Sequence, residues 1–318
     1  MGINQYYKAK FLAMVNGEAH RPFVCRALLP WTVKAVSSVA PTDWKQSLAV
    51  LAHSNDVVRR AFVAFRWESD AAFEYATASL LMFLCFAGFG RVAVKLIAGT
   101  CGISAERAVG VVLLAFALGL LPVLFRYVSY IYDPPQLFLF TAGLYALFER
   151  RGWMFFFVFA LCSINKETAL LLIPLFAVAY RGKFSEKRYL SVILILAAVY
   201  SLIRGLIFLA FRNNPGAAVE FHFHRNLIFL KTAWMPASLV LSALLVLIFH
   251  DWDRKPPFLK YSLPIVLGTL GTFSLFFGFI DEWRGYYEAY PLMLASSVHS
   301  FLALKEKARL KFHRTSIP

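Results

Sequence analysis

Acid is scarce in this sequence: 18 Asp and Glu stand against 33 Lys and Arg in 318 residues, a formal charge of +15. That balance raises nucleic acid as a partner. The basic residues, however, gather between apolar runs and after the last one, so the charge reads as membrane topology and contact with anionic membrane lipids, and no nucleic acid is expected. Cysteine is sparse too. Cys25, Cys85, Cys101 and Cys162 are scattered and form no CxxC pair, which excludes a disulfide framework and a thiolate zinc site; they read as small apolar packing residues. The first 70 residues hold no long apolar run, so no signal peptide is expected. Neither an internal repeat nor a low-complexity tract is visible.

What the sequence has in excess is hydrocarbon. It is 59% hydrophobic and 17% aromatic with 32 Phe, where an average soluble domain is roughly 45–50% apolar. The mean hydropathy is +0.61. This composition predicts an all-α, polytopic helical membrane protein of about eight or nine hydrophobic helices. Residues 1–71 read as an extracytoplasmic amphipathic region, 72–304 as the transmembrane domain and 305–318 as a basic cytoplasmic tail. In the first region, helices over 32–39 and 44–65 are expected to lie in the interface; Leu48, Leu51, Val58, Phe62 and Phe65 recur there at near-helical spacing. Predicted spans follow over 72–90, 109–125, 136–148, 190–210, 236–249, 263–280 and 287–304.

The stretch 153–180 organises the rest. Two apolar runs flank Asn165-Lys166-Glu167-Thr168, with Arg150 and Arg151 before them and Arg181, Lys183, Lys187 and Arg188 after. A full crossing takes ~20 apolar residues, so the stretch is too long for one span and too short for two. It predicts two half-helices that enter from the cytoplasmic side and meet at a polar tip. Lys166 and Glu167 would each cost about 2.5–3.5 kcal/mol on a lipid-facing helix. They are expected to face a polar cavity or to pair with each other or with another span.

Lys305, Lys307 and Arg309 put the C-terminus in the cytoplasm. Counting back places the tip, residues 127–135, 211–235 and 281–286, and the N-terminal region outside. An outside start without a signal predicts a preceding span that this chain lacks. Four polar clusters then share one face. They are Arg126 to Asp133, the tip, Glu220 to Asn226 in a long outer loop, and Asp281 to Glu288, with Arg204 beside them. Acids and cations so gathered suit a lipid-linked anionic substrate, since Arg offers a forked hydrogen-bond pair and Lys a point charge. Plainer readings stand beside this one. Asp133, ahead of Pro134 and Pro135, suits a helix start. Asp281, Glu282 and Arg284 suit a solvated loop. His222 and His224 lack a third ligand, so neither a metal site nor another cofactor is expected.

RPFVCRALLPW (21–31), YIYDPPQLFLFTAGLYAL (130–147), NKETALLLIP (165–174), EFHFHRN (220–226) and EWRGYYEAYPLML (282–294) occur in this order. With these segments the chain resembles the bacterial polytopic glycosyltransferases of the GT-C fold. The resemblance implies a transferase that moves sugar from a polyprenyl-phosphate carrier to a glycan or lipid acceptor, on the outer face of the cytoplasmic (inner) membrane, in cell envelope synthesis. It makes Asp133, Glu167 and Glu18 candidate catalytic carboxylates. Such enzymes carry their acid early in the first outer loop, where Glu18 is the one carboxylate before Arg21. Lys166, Arg284 and Arg204 become candidates for the carrier phosphate, and Asn165, Glu220, His222, Asn226 and Glu288 for further substrate contacts. A transporter or flippase, or a non-catalytic membrane subunit, is the alternative.

Overall fold

The computed structural model describes residues 3–117, 130–217 and 219–315, and every regular element among them is helical. Four short helices form the N-terminal layer: α1 (Phe11–Asn16), α2 (Leu28–Val39), α3 (Thr42–Ser54) and α4 (Asp56–Phe65). The single helix expected over 44–65 is therefore two. Asn55 divides them, because its extended backbone ends α3 while its side chain accepts the N–H groups of Val57 and Val58 and so caps α4.

The first long helix, α5 (Ala72–Cys101), runs through Arg91 and Lys95, well past the predicted end at residue 90. It is followed by α6 (Ala105–Ala115). The later part of the span predicted over 109–125, together with Arg126, lies outside the described residues.

At the centre stands α7 (Asp133–Phe148), buried along nearly its whole length. A helix apolar on all sides has no face for solvent and settles inside protein. Pro134 and Pro135 set its start, where their missing N–H groups cost nothing. It packs between α5 and α8 (Gly152–Asn165). The approach to α5 requires glycine: a Cβ at Gly88 or Gly99 would stand 2.7 Å from the ring of Phe138 or Phe148.

Two short apolar helices broken at the polar tip form as expected. After α8, Lys166 takes extended backbone (φ −155°, ψ 148°), a 3-10 turn covers Glu167–Leu171, and α9 (Leu172–Tyr180) returns. The last four helices are α10 (Glu186–Ala210), α11 (Phe223–Phe249), α12 (Pro257–Phe276) and α13 (Tyr290–Thr315). Two boundaries correct the sequence reading. Because α11 begins at Phe223, the outer loop predicted over 211–235 is reduced to 211–222. Residues 305–315 of the predicted tail continue α13 as helix.

Among the described residues three helices are long and apolar enough to cross a bilayer: Ser69–Cys101, Glu186–Ala210 and Pro257–Phe276. The apolar helices Gly152–Asn165 and Glu167–Tyr180 are shorter. Much of α10 is uncovered: Leu194, Leu202 and Leu206 are exposed, while Leu196 and Ile207 are buried. Exposed apolar area of this extent marks a surface that associates with lipid or protein.

Candidate functional site

Polar side chains from five parts of the chain meet at the N-terminal end of α7. Tyr130, Tyr132 and Asp133 come from the start of α7, residues 165–168 from the break between α8 and α9, and Arg204 from α10. Glu282, Arg284 and Glu288 come from the segment before α13, and Arg26 from the loop before α2.

Glu167 sits between two guanidinium groups. Arg26 holds it as a fork, Nη2 to Oε1 at 2.5 Å and Nε to Oε2 at 3.3 Å. Arg26 also donates to the Tyr132 hydroxyl, and its charge lies 4.5 Å from the Tyr132 ring centre. Arg204 comes within 3.8 Å of the same carboxylate while donating to the Cys25 carbonyl at 2.9 Å. The Glu167 side chain remains 40% exposed, although both of its carboxylate oxygens accept from Arg26.

Asp133 and Arg284 form a second group. Their side chains stand 3.8 Å apart. Asp133 accepts the Tyr130 N–H at 3.2 Å. Arg284 also pairs with Glu282 and lies 3.9 Å from the Tyr130 ring centre. The solvated loop considered for Arg284 does not form; its side chain is mostly buried.

The third group is enclosed. Lys166 Nζ lies 3.1 Å from Glu288 Oε1, and the Thr168 hydroxyl donates to the same oxygen. Gln136 donates to Thr168 at 3.0 Å, and Asn165 donates to Gln136 at 3.0 Å. Glu288 is 0% and Lys166 7% exposed. Of the readings for Lys166, a polar cavity, pairing with Glu167 or pairing with another part of the chain, the last is the one that forms: it is packed in protein with its charge matched by Glu288. Glu288 Oε2 and Asn165 Oδ1 are buried and have no hydrogen-bond partner among the described residues.

No known protein family, curated protein or solved structure matches this chain.

The remaining predicted residues lie elsewhere. Asn226 is fully buried and clasps the end of α12: its amide donates to the carbonyls of Ser274, Leu275 and Gly278, and its oxygen accepts the Ile280 N–H. Arg225 pairs with Asp281. Glu18 is exposed in the loop after α1; its backbone N–H donates to the Ala13 carbonyl at 2.7 Å, and its carboxylate makes no hydrogen bond or ion pair among the described residues. Glu220 accepts from Lys8 at 2.8 Å and lies 3.4 Å from His222, tying the N-terminal segment to the turn before α11. Among the described residues no group of three His, Cys, Asp or Glu side chains is arranged to hold a metal ion.

The Lys8 hydrogen bond holds the Glu220 carboxyl below its ordinary pKa. A depressed carboxylate pKa adds stability that is present above the unfolded value, about 4.3 for Glu, and is lost as the pH falls through the folded value. Acidification below about pH 4 is therefore expected to release the Lys8 segment. Hydrogen exchange at residues 8–20 would rise there in the wild type and be already raised at neutral pH in Glu220→Gln. Unchanged protection across that range would refute the tie.

Arg26 and Gln136 are members of the cluster that the sequence did not single out, while Tyr132 and Thr168 stood in its polar stretches without a role of their own. Gln136 carried a signal, a lone amide in an otherwise apolar helix. Arg26 carried less, since a cation between Phe23 and Pro30 also suits an interfacial segment.

Proposed function

We propose that this chain is a polytopic membrane protein of the GT-C type that moves a sugar from a polyprenyl-phosphate carrier to a glycan or lipid acceptor. The site faces the outside of the bacterial cytoplasmic membrane, with the C-terminus in the cytoplasm. The observation that carries this reading is the convergence of Arg26, Arg204, Arg284, Glu167 and Asp133 from distant parts of the chain on one end of a buried helix. The carrier phosphate competes with Glu167 for the Arg26 and Arg204 guanidiniums, both of which suit forked phosphate hydrogen bonds. Glu167, the part-exposed carboxylate, takes the proton of the acceptor hydroxyl. The acceptor oxygen bonds to the anomeric carbon as the bond from that carbon to the phosphate oxygen breaks. Polyprenyl phosphate leaves with its negative charge stabilised by arginine.

The test is transfer of radiolabelled sugar from polyprenyl-phosphate donors in membranes containing the chain, with and without an added upstream span. Label in acceptor above that of empty membranes supports the reading. Inserted, folded protein that transfers from none of the donors overturns it.

The interruption at Lys166 favours one second reading, transport of a lipid-linked anion, because broken helices form the binding sites of many transporters. Movement of the labelled carrier across proteoliposomes lacking acceptor would single it out.

A further inference from the structure

The turn between α11 and α12 lies at the far end of α11 from Asn226, and it packs against α13. A second polar cluster occupies it. Lys255 is 2% exposed, and its ammonium donates to the Ser296 carbonyl at 2.8 Å and the Ser300 hydroxyl at 2.7 Å. Among the described residues it has no carboxylate at ion-pair distance. Asp251, the nearby acid, faces Arg254 at 3.7 Å and Lys307 at 3.5 Å instead. Lys260 donates to the backbone carbonyl of Asp253, whose carboxylate makes no ion pair among the described residues. Arg254, Lys255, Lys260 and Lys307 are thus set against two carboxylates, Asp251 and Asp253, and the turn keeps an excess of positive charge. Nearby, Ser296 Oγ, His250 Nε2 and His299 Nδ1 are buried and have no hydrogen-bond partners among the described residues. A buried ammonium is costly without a counterion. Burial pulls its pKa below the ordinary value, a direction that an adjacent anion reverses.

We propose that this turn binds an anionic phosphate group, held at the surface by Arg254 and Lys307 with Lys255 beneath it. Arg254 and Lys307 are exposed on the rim. Beside them Phe249 and Trp252 pack ring to ring at 4.9 Å, and Val246 and Tyr261 are exposed. A phosphate on a basic rim with an apolar and aromatic flank is the chemistry of a phospholipid head group and its chains. The inference needs the chain to sit in a bilayer; it does not depend on sugar transfer.

The test uses the full chain purified in detergent, with its unfolding midpoint titrated by phosphatidylglycerol, phosphatidylcholine and inorganic phosphate. Phosphatidylglycerol should raise the midpoint and phosphatidylcholine should not. At about 1 kcal/mol per basic residue near a lipid surface, Arg254→Gln with Lys307→Gln should weaken the apparent phosphatidylglycerol affinity about 30-fold. Arg59→Gln with Arg60→Gln, on α4, should leave it unchanged. Both pairs are exposed, so neither disturbs the core. An equal response to phosphatidylglycerol and inorganic phosphate assigns the site to a free anion; a response to the lipid alone assigns it to a head group. Equal stabilisation by phosphatidylcholine, or full phosphatidylglycerol affinity in the Arg254/Lys307 variant, overturns the proposal.

Discussion

Replacing Lys166 with alanine is expected to lower stability by about 3–5 kcal/mol, because it strands a buried carboxylate. Glu288 is 0% exposed, and one of its oxygens takes both Lys166 and Thr168 while the other has no partner among the described residues. Without the ammonium the charge has only a hydroxyl for company, and neutralising it by protonation carries its own cost. Lys166→Met with Glu288→Leu removes both charges at once and should recover most of the loss. Thermal unfolding in detergent checks this. A single variant that melts with the wild type, or a double variant no better than the single, would refute the pairing. The result also bears on activity measurements: lost transfer in Lys166→Ala reports folding as well as phosphate binding, so this residue is a poor probe of chemistry.

Arg26→Ala is expected to lower transfer about 100-fold or more, the scale of removing one preorganised donor to a developing charge. Its guanidinium is the one that grips Glu167 with a fork and also reaches Tyr132. Arg26→Lys keeps the charge and loses the fork, so it should recover little. Arg204→Ala should cost less, since Arg204 divides its donors between Glu167 and the carbonyls of Cys25 and Ser163. Initial rates at saturating and limiting donor, in membranes with matched protein content, separate the roles. A fall confined to limiting donor means carrier binding, and a fall at saturation means stabilisation of the leaving phosphate. Wild-type rates in Arg26→Ala would remove it from the site.

The half-helix pair was legible because its signal is one of length: 28 residues with a polar middle and basic ends leave few alternatives. Asp133, Lys166, Glu167, Arg204, Arg284 and Glu288 were legible as members of one polar face for a similar reason, since charge in an apolar chain stands out. Their partners were not. Pairing Lys166 with Glu288 and Glu167 with Arg26 spans 122 and 141 positions of sequence, and no local pattern encodes a choice among several cations and acids. The start of α11 was misread for a related cause. Arg225 and Asn226 look like loop residues, yet one is paired with Asp281 and the other is used on the end of α12, so tertiary partners absorb the polarity that a free helix would leave exposed. Asn55 is the converse case, where a local cap divides a pattern that periodicity alone joins.

The Asn226 clasp ties together two things that look separate. It fastens the start of α11 to the last turn of α12 and to Ile280. The same strand of chain continues within a few residues to Arg284 and Glu288. One side chain, Asn226, thus carries the start of α11 and the segment leading to Arg284 as a single joint, so that the seat of Arg284 beside Asp133 depends on an amide far from it in sequence.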